Sequence, residues 1–387
     1  MQHPQVPVAG SVLRWAARRS DVPQGEVESR FPQLNQWERG AAAPTYEELH
    51  AFASFTHTPF GSFFLEEPPA ESMPIPDFRT MGNDDVGPPS SGLLDVIYIC
   101  QERQDWYRQY LISQEMNPLN FVGSASIGQS ISDAAQDVRN FLDYSLASRE
   151  MFRDQREALR YLTRITEDQG ILVMMSGMVG DYTHRLLDPV EFRGFALVDD
   201  RAPLIFINGA DTQAARIFTL VHEICHVFLG ESGVSDSFLR PQGPSKNTIE
   251  RWCNRVAGEV LVPLESLRHE FHGSLDVLDL ERLAGLYMVS TLVVLNRLHD
   301  GGLVEWDSFR SAYSREVERI GGLLGRKKSR SGGNYYNVKP LRVSRKFASA
   351  LINDTLRGRT LYGTAYHLLD TKRSDIFDRL GRDLGIM

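Results

Sequence analysis

His222, Glu223 and His226 stand in the order H-E-x-x-H within the stretch Arg216–Gly230, RIFTLVHEICHVFLG. On an α-helix the fourth residue along returns to within about 40° of the first, so the two imidazoles leave one face a turn apart. Two nitrogen donors so placed reach one metal ion, and a glutamate beside the first reaches a water on that ion. Imidazole and carboxylate donors suit Zn²⁺, with Mn²⁺ a second ion able to support activity, and hydrolysis needs no redox chemistry. The chemistry these residues imply is metal-assisted hydrolysis.

The elements that must position them follow from the pattern. Asp211 is the expected N-cap of the metal helix. Ile217, Phe218, Val221, Cys225 and Phe228/Leu229 form its apolar stripe, and Gly230 is the expected stop. Zn²⁺ needs a third protein ligand, and the downstream candidates are Glu231, Asp236, Glu250, Glu259 and the pair His269/His272. The helical segment 249–263 favours Glu250: Asn254 lies one turn on, placed to hydrogen-bond a ligating imidazole, whereas Glu259 is rotated about 180° away. Glu231 and Glu259 stand behind it, and His269 and His272 read as surface residues. Three β-rich runs follow Gly170: GILVMMSGMVG, VEFRGFALVDD and PLIFIN, the last (Pro203–Asn208) directly before the metal helix. A small sheet against that helix is expected, with PLIFIN as an edge strand able to pair with an extended peptide. Tyr182 and His184, ahead of the second run, are candidate donors to a developing oxyanion. Arg216 is placed to pin the metal helix to a carboxylate.

The rest of the chain is mostly helical, so the fold class is α+β, mostly α with a small sheet. Helices are expected from Leu93 to about Glu115, over ISDAAQDVRNFLDYSL and over FRDQREALRYLTRITEDQ. Residues 1–70 form a first domain, with Thr45 and Glu48 as a capping box. Residues 71–92, rich in Pro, Gly and acid, form a linker. Residues 93–300 make the hydrolase domain with its leading helices, and 301–387 a basic helical domain. That last region holds 17 Lys/Arg against 9 Asp/Glu, a net +8 in a chain of net −8. Nucleic-acid contact through Arg342, Arg345, Lys346, Arg357 and Arg359 is one use of that charge, and a solvated face is the other. No run approaches the ~18 apolar residues of a membrane span. Three cysteines without a C-x-x-C pair fit a reducing cytoplasm and exclude a thiolate zinc finger.

Two resemblances bear on function. The N-terminal order, with W-E-R-G before a Pro and a further helix, resembles the helix-turn-helix domain of XRE-type repressors. The segment that should read DNA is short, carries Pro32, and lies in a region of net −3, which favours protein contacts over phosphate. The strings R-x-F-T-L-V-H-E-I-C-H and E-x-x-x-N-R-x-A-x-x-V-L-V-P resemble the ImmA/IrrE metallopeptidases. So do the upstream run 184–208 and the C-terminal GGNYYNVKPLRVSRKFASAL. Cys253, Val256 and Trp252 depart from the family's common residues at packing positions. The resemblance implies a gluzincin-like zinc site with His222, His226 and Glu250 as ligands and Glu223 as base. It also implies a helix-turn-helix repressor as the protein substrate, cut to release a stress, phage-defence or mobile-element operon. A homodimer is compatible with this reading. The alternative is a non-proteolytic, antitoxin-like regulator that binds DNA or a partner on a peptidase fold.

Overall fold

Where the apolar period changes after Gly170, helices give way to strands. In the computed structural model the described residues are 4–20, 22–78, 89–235, 247–327, 335–371 and 373–387. Asp236 and residues 79–88 of the expected linker lie outside them. Two compact units are present: one holds residues 4–74 and 89–95, the other 75–78 and the described residues from 96 onward.

In the first unit, α1 (Gly10–Arg19), α2 (Gln24–Arg30), α3 (Leu34–Glu38) and α4 (Tyr46–Phe55) precede a 3-10 turn, Phe60–Phe64. Val12, Leu13, Ala16, Trp37, Leu49 and Phe52 meet in one core. Thr45 and Glu48 form the expected capping box of α4. Arg19 pairs with Glu71 and Asp95.

The second unit contains the sheet. Its helices begin with α5 (Ser91–Ser113), which belongs to this unit from residue 96 on, then α6 (Ile131–Leu142), α7 (Leu146–Arg149) and α8 (Gln155–Asp168). The strands are β1 (Leu172–Ser176), β2 (Gly194–Leu197), β3 (Leu204–Asn208) and β4 (Gly233–Val234), in the order β1-β3-β2-β4. β1 pairs with β3 in parallel, and β2 runs antiparallel to both β3 and β4. The strand of PLIFIN is therefore interior, not the edge expected. All five residues of β3 are buried, which suits a continuous apolar run between two neighbours. The edge role falls to β1 and to the two-residue β4.

α9 (Gln213–Leu229) carries the H-E-x-x-H residues. Its cap is Thr212, whose hydroxyl accepts from Ala215 N, while Asp211, the expected cap, accepts from Thr212 N instead. Gly230 ends α9 at φ 78°, a left-handed position that a glycine adopts without strain. α10 (Thr248–Leu261) lies against α9 and α6. Val221, Ile224, Cys225, Cys253, Val256 and Ala257 fill one core with the sheet. The three cysteines are buried and unpaired. Burial raises all three thiol pKa values, that of Cys100 to about 12.

The C-terminal end of α10 exposes carbonyls that the helix cannot satisfy, and arginines supply the donors. Arg149, only 1% exposed, donates to Leu261 O and, at 2.8 Å, to Val260 O, with its guanidinium over the Tyr144 ring. Burial lowers its pKa to about 10, so it stays charged at neutral pH. Arg139 donates to Glu259 O, and Arg297 to Val262 O.

α11 (Leu264–Glu270), α12 (Val277–Tyr287), α13 (Thr291–Asp300), α14 (Trp306–Lys327) and α15 (Tyr335–Arg342) follow, then α16 (Arg345–Leu356), α17 (Tyr362–Leu368) and α18 (Ser374–Asp383). Part of the basic C-terminal charge is engaged internally. Lys339 and Arg342 pair with Asp181, and Arg103 of α5 pairs with Asp370. Arg345, Arg357 and Arg359 are exposed. No described helix is long and apolar enough to cross a membrane.

The Arg149 cap generates the first prediction. Arg149→Met leaves two buried carbonyls at the end of α10 without their charged donor and lowers stability by about 2–4 kcal/mol. A urea midpoint unchanged within error would refute that role.

Candidate metal centre

Helical geometry brings His222 and His226 to one face of α9, and Glu250 enters from the first turn of α10, whose N-cap Asn247 accepts from Ile249 N. His222 Nε2 lies 3.3 Å from Glu250 Oε2, His226 Nε2 lies 3.1 Å from Oε1, and the two Nε2 atoms are 3.1 Å apart. All three side chains are fully buried. They are the one group of metal-type donors that converges among the described residues.

The donor set fits a small cation. Ligands about 2.0–2.1 Å from a tetrahedral Zn²⁺ stand roughly 3.3 Å from one another, close to the spacings seen here. Both Glu250 oxygens are buried without a properly aligned hydrogen bond among the described residues, although an imidazole nitrogen stands at ion-pair distance from each. Two imidazole nitrogens this close repel if both present lone pairs, and a cation among the three groups removes that conflict.

The charges respond to one another. Burial acts to raise the pKa of Glu250, but the neighbouring His222 and His226 outweigh it and hold the carboxyl at about 2. For His222, burial lowers the pKa and the Glu250 carboxylate more than reverses this, leaving it raised. At His226 burial prevails and the pKa falls. Asn254 adds to the rise at His222 as a hydrogen-bonding neighbour, without reaching full geometry, so His222 Nδ1 and Asn254 Oδ1 both lack a full hydrogen bond among the described residues. This is the helical neighbour that the spacing pointed to.

Glu223 faces the sheet. Its Oε2 accepts from Ser235 Oγ at 3.1 Å, and Oε1 is buried with no hydrogen-bond partner among the described residues. Burial raises its pKa to about 8, with Glu250 adding to the rise and His222 opposing it. Gly194 of β2 makes room for this carboxylate. A Cβ there would stand 2.6 Å from Thr219 Cγ2, 2.8 Å from Phe206 O and 3.1 Å from Glu223 Oε1.

The other candidates lie elsewhere. Glu259 pairs with Arg297 at the far end of α10, Glu231 is exposed just past α9, and His269 and His272 are exposed. Tyr182 and His184 sit in the loop between β1 and β2, closed by the Met178–Leu186 bridge. Both are exposed, Tyr182 at 55%, and neither belongs to the buried cluster. Arg216 donates to Gly209 O and has the Asp211 carboxylate as a charged neighbour, with no ion pair to a carboxylate among the described residues. Two contacts escaped the sequence reading. Ser235 follows a strand too short for any period to mark. Phe78, placed in the linker, stacks on His226 with ring centroids 5.5 Å apart and planes 13° from parallel.

Comparison with known families agrees with this geometry. Residues 166–299 match the M78 peptidase family, described as an IrrE N-terminal-like domain. M78 peptidases are metal-dependent. The matched span contains His222, Glu223, His226 and Glu250 together with all four strands. Residues 343–383, which cover α16 to α18, match a domain of unknown function, DUF8813. No curated protein matches the chain.

The buried acid generates a pH prediction for metal-free protein. Glu223 has a folded pKa of about 8 against an ordinary 4.5, so the folded state holds its proton more tightly. Stability therefore falls as pH rises from 4.5 towards 8. Glu223→Gln removes this titration. Its gain grows from near nil at pH 4.5 to at most about 3 kcal/mol at pH 7. Denaturant midpoints of the chelator-treated pair across this range test it, and a gain independent of pH would refute the assignment.

Proposed function

We propose that the chain is a zinc-dependent endopeptidase. Glu223 serves as its general base, and its protein substrate is a helix-turn-helix repressor whose cleavage releases a stress, phage-defence or mobile-element operon. The observation that carries the chemical part is the convergence of His222, His226 and Glu250 within ion-pair distance, beside a buried glutamate with one unsatisfied oxygen. The choice of substrate is supported by the resemblance to the ImmA/IrrE metallopeptidases.

His222 and His226 offer Nε2, and Glu250 offers its carboxylate, as the three protein ligands. A divalent ion held there supplies Lewis acidity and makes water a better nucleophile near neutral pH. Glu223 does the proton work. Ser235 fixes its Oε2, leaving Oε1, beside Gly194, to take the proton from the attacking water and return it to the leaving amine. Burial raises the Glu223 pKa to about 8 in the metal-free chain, and a cation held by the three ligands would draw it down, which frees the carboxylate to accept that proton. Glu250, held far lower, stays ionised as a ligand. The loop bearing Tyr182 and His184 is the proposed source of a donor to the oxyanion.

Two sets of variants test this reading. Incubated with a candidate repressor and Zn²⁺ or Mn²⁺, wild type should yield discrete fragments and Glu223→Gln should be at least 10²-fold slower. Bound metal should fall sharply in His222→Ala and Glu250→Ala and persist in Glu223→Gln. Equal cleavage by wild type and Glu223→Gln would overturn the peptidase, and full zinc retention in Glu250→Ala would move the third ligand elsewhere. Tyr182→Phe or His184→Ala should lower kcat by about 10² for whichever residue is the donor. Unchanged kcat in both removes that loop from the chemistry.

A further inference from the structure

The sheet edge nearest the metal centre is already taken by the protein's own backbone. β4 pairs with β2 on one side, and Ser235, the next residue, holds Glu223. On the other side Val234 N donates to Pro76 O at 3.0 Å and Phe78 N donates to Val234 O at 3.0 Å, a parallel bridge centred on Asp77. The side chain next along, Phe78, is only 6% exposed and lies flat between Gly233 and the His226 ring. A Cβ on Gly233 would collide with the Phe78 ring, so this glycine provides the surface on which an aromatic side chain rests. Ile75 is buried as well, and Pro74 and Pro76 hold the segment extended with little conformational freedom to lose.

An unpaired strand edge is a template for an added strand, in which backbone bonds bind and side-chain pockets select. We propose that the outer edge of β4, with the platform formed by Gly233 and His226, is the docking rail for an extended segment of a protein substrate that places an aromatic side chain where Phe78 now lies. Residues Ile75–Phe78 are its internal occupant, which substrate must displace. This inference rests on the peptidase reading above and adds to it a place for the substrate backbone, a side-chain preference and a built-in restraint. The two backbone bonds at Val234 and the Phe78 ring are contacts that a substrate segment can take over by binding the same amide and carbonyl and filling the ring position more tightly.

The test uses the zinc-loaded full chain carrying Glu223→Gln, so that no peptide is consumed. The probe is a fluorescent peptide of the sequence of residues 72–78, SMPIPDF, followed by anisotropy. Adding Phe78→Ala should tighten peptide binding at least tenfold, and Phe78→Leu, which keeps apolar cover but loses the stacked ring, should tighten it less. A peptide ending in Ala should bind at least tenfold more weakly than one ending in Phe. Hydrogen exchange at the Val234 amide should accelerate in Phe78→Ala and slow again when peptide is added. With active-site Glu223 restored, Phe78→Ala should lower KM for a protein substrate more than it changes kcat. Equal binding by folded, zinc-containing chains with and without Phe78, or a Val234 amide that ignores both the variant and the peptide, would overturn the rail. These readouts need no turnover. Binding that follows Phe78 in a chain that cleaves nothing sinks the peptidase and leaves the rail, and cleavage with indifferent binding does the reverse.

Discussion

A carboxylate buried between two imidazoles is the constraint around which the second unit is arranged. Glu250 is fully buried, and removing a charge from water is tolerated only where partners replace the solvent. Its partners come from a different helix, so α9 and α10 must be held in register to within a fraction of an ångström for the cluster to exist. Packing of Val221, Ile224 and Cys225 against Val256 and Ala257 supplies the apolar part of that register. Arg139, Arg149 and Arg297, drawn from three different helices, fix the distal end of α10. The opposite end, where Glu250 sits, can then be positioned with little freedom of its own.

Two neighbouring glutamates under the same burial are driven in opposite directions by their partners. Glu250 has two imidazoles to offset it and ionises easily, while Glu223 has His222 and one hydroxyl set against burial and a carboxylate neighbour, and its pKa in the metal-free chain rises to about 8. A pair of titratable groups pushed apart in this way separates the holding of charge from the moving of protons. The sheet takes part through backbone shape: β2 comes close enough to α9 at Gly194 that any side chain there would strike the carboxylate's surroundings.

Much of this was legible in the chain, because the decisive patterns are local. Four-residue spacing on two helices identified His222, His226, Glu250 and Asn254, and α9 ends one residue before Gly230, its expected stop. What escaped depends on contacts remote in sequence. The apolar run Leu204–Asn208 fits an edge or an interior strand equally well until its partners are known, and the parallel β1 settles it as interior. β4 is two residues long and carries no period. The contact of Phe78 with His226 joins positions 148 apart through a strand that cannot be seen locally. Asp211 and Thr212 are both good caps, and only the backbone angles decide between them.

The buried thiols carry a consequence of their own. Cys225 lies on α9 one residue before His226, and Cys253 lies on α10 three residues after Glu250, where Cys225 adds to the rise in its pKa. Burial keeps both protonated, and a protonated, enclosed thiol reacts with neither alkylating agents nor oxidants. The seam that gathers the metal donors is thus the seam that shelters the sulfurs. Any excursion that parts α9 from α10 opens the seam that holds both, so the rate at which these cysteines can be trapped chemically is a clock for the breathing of the candidate metal centre.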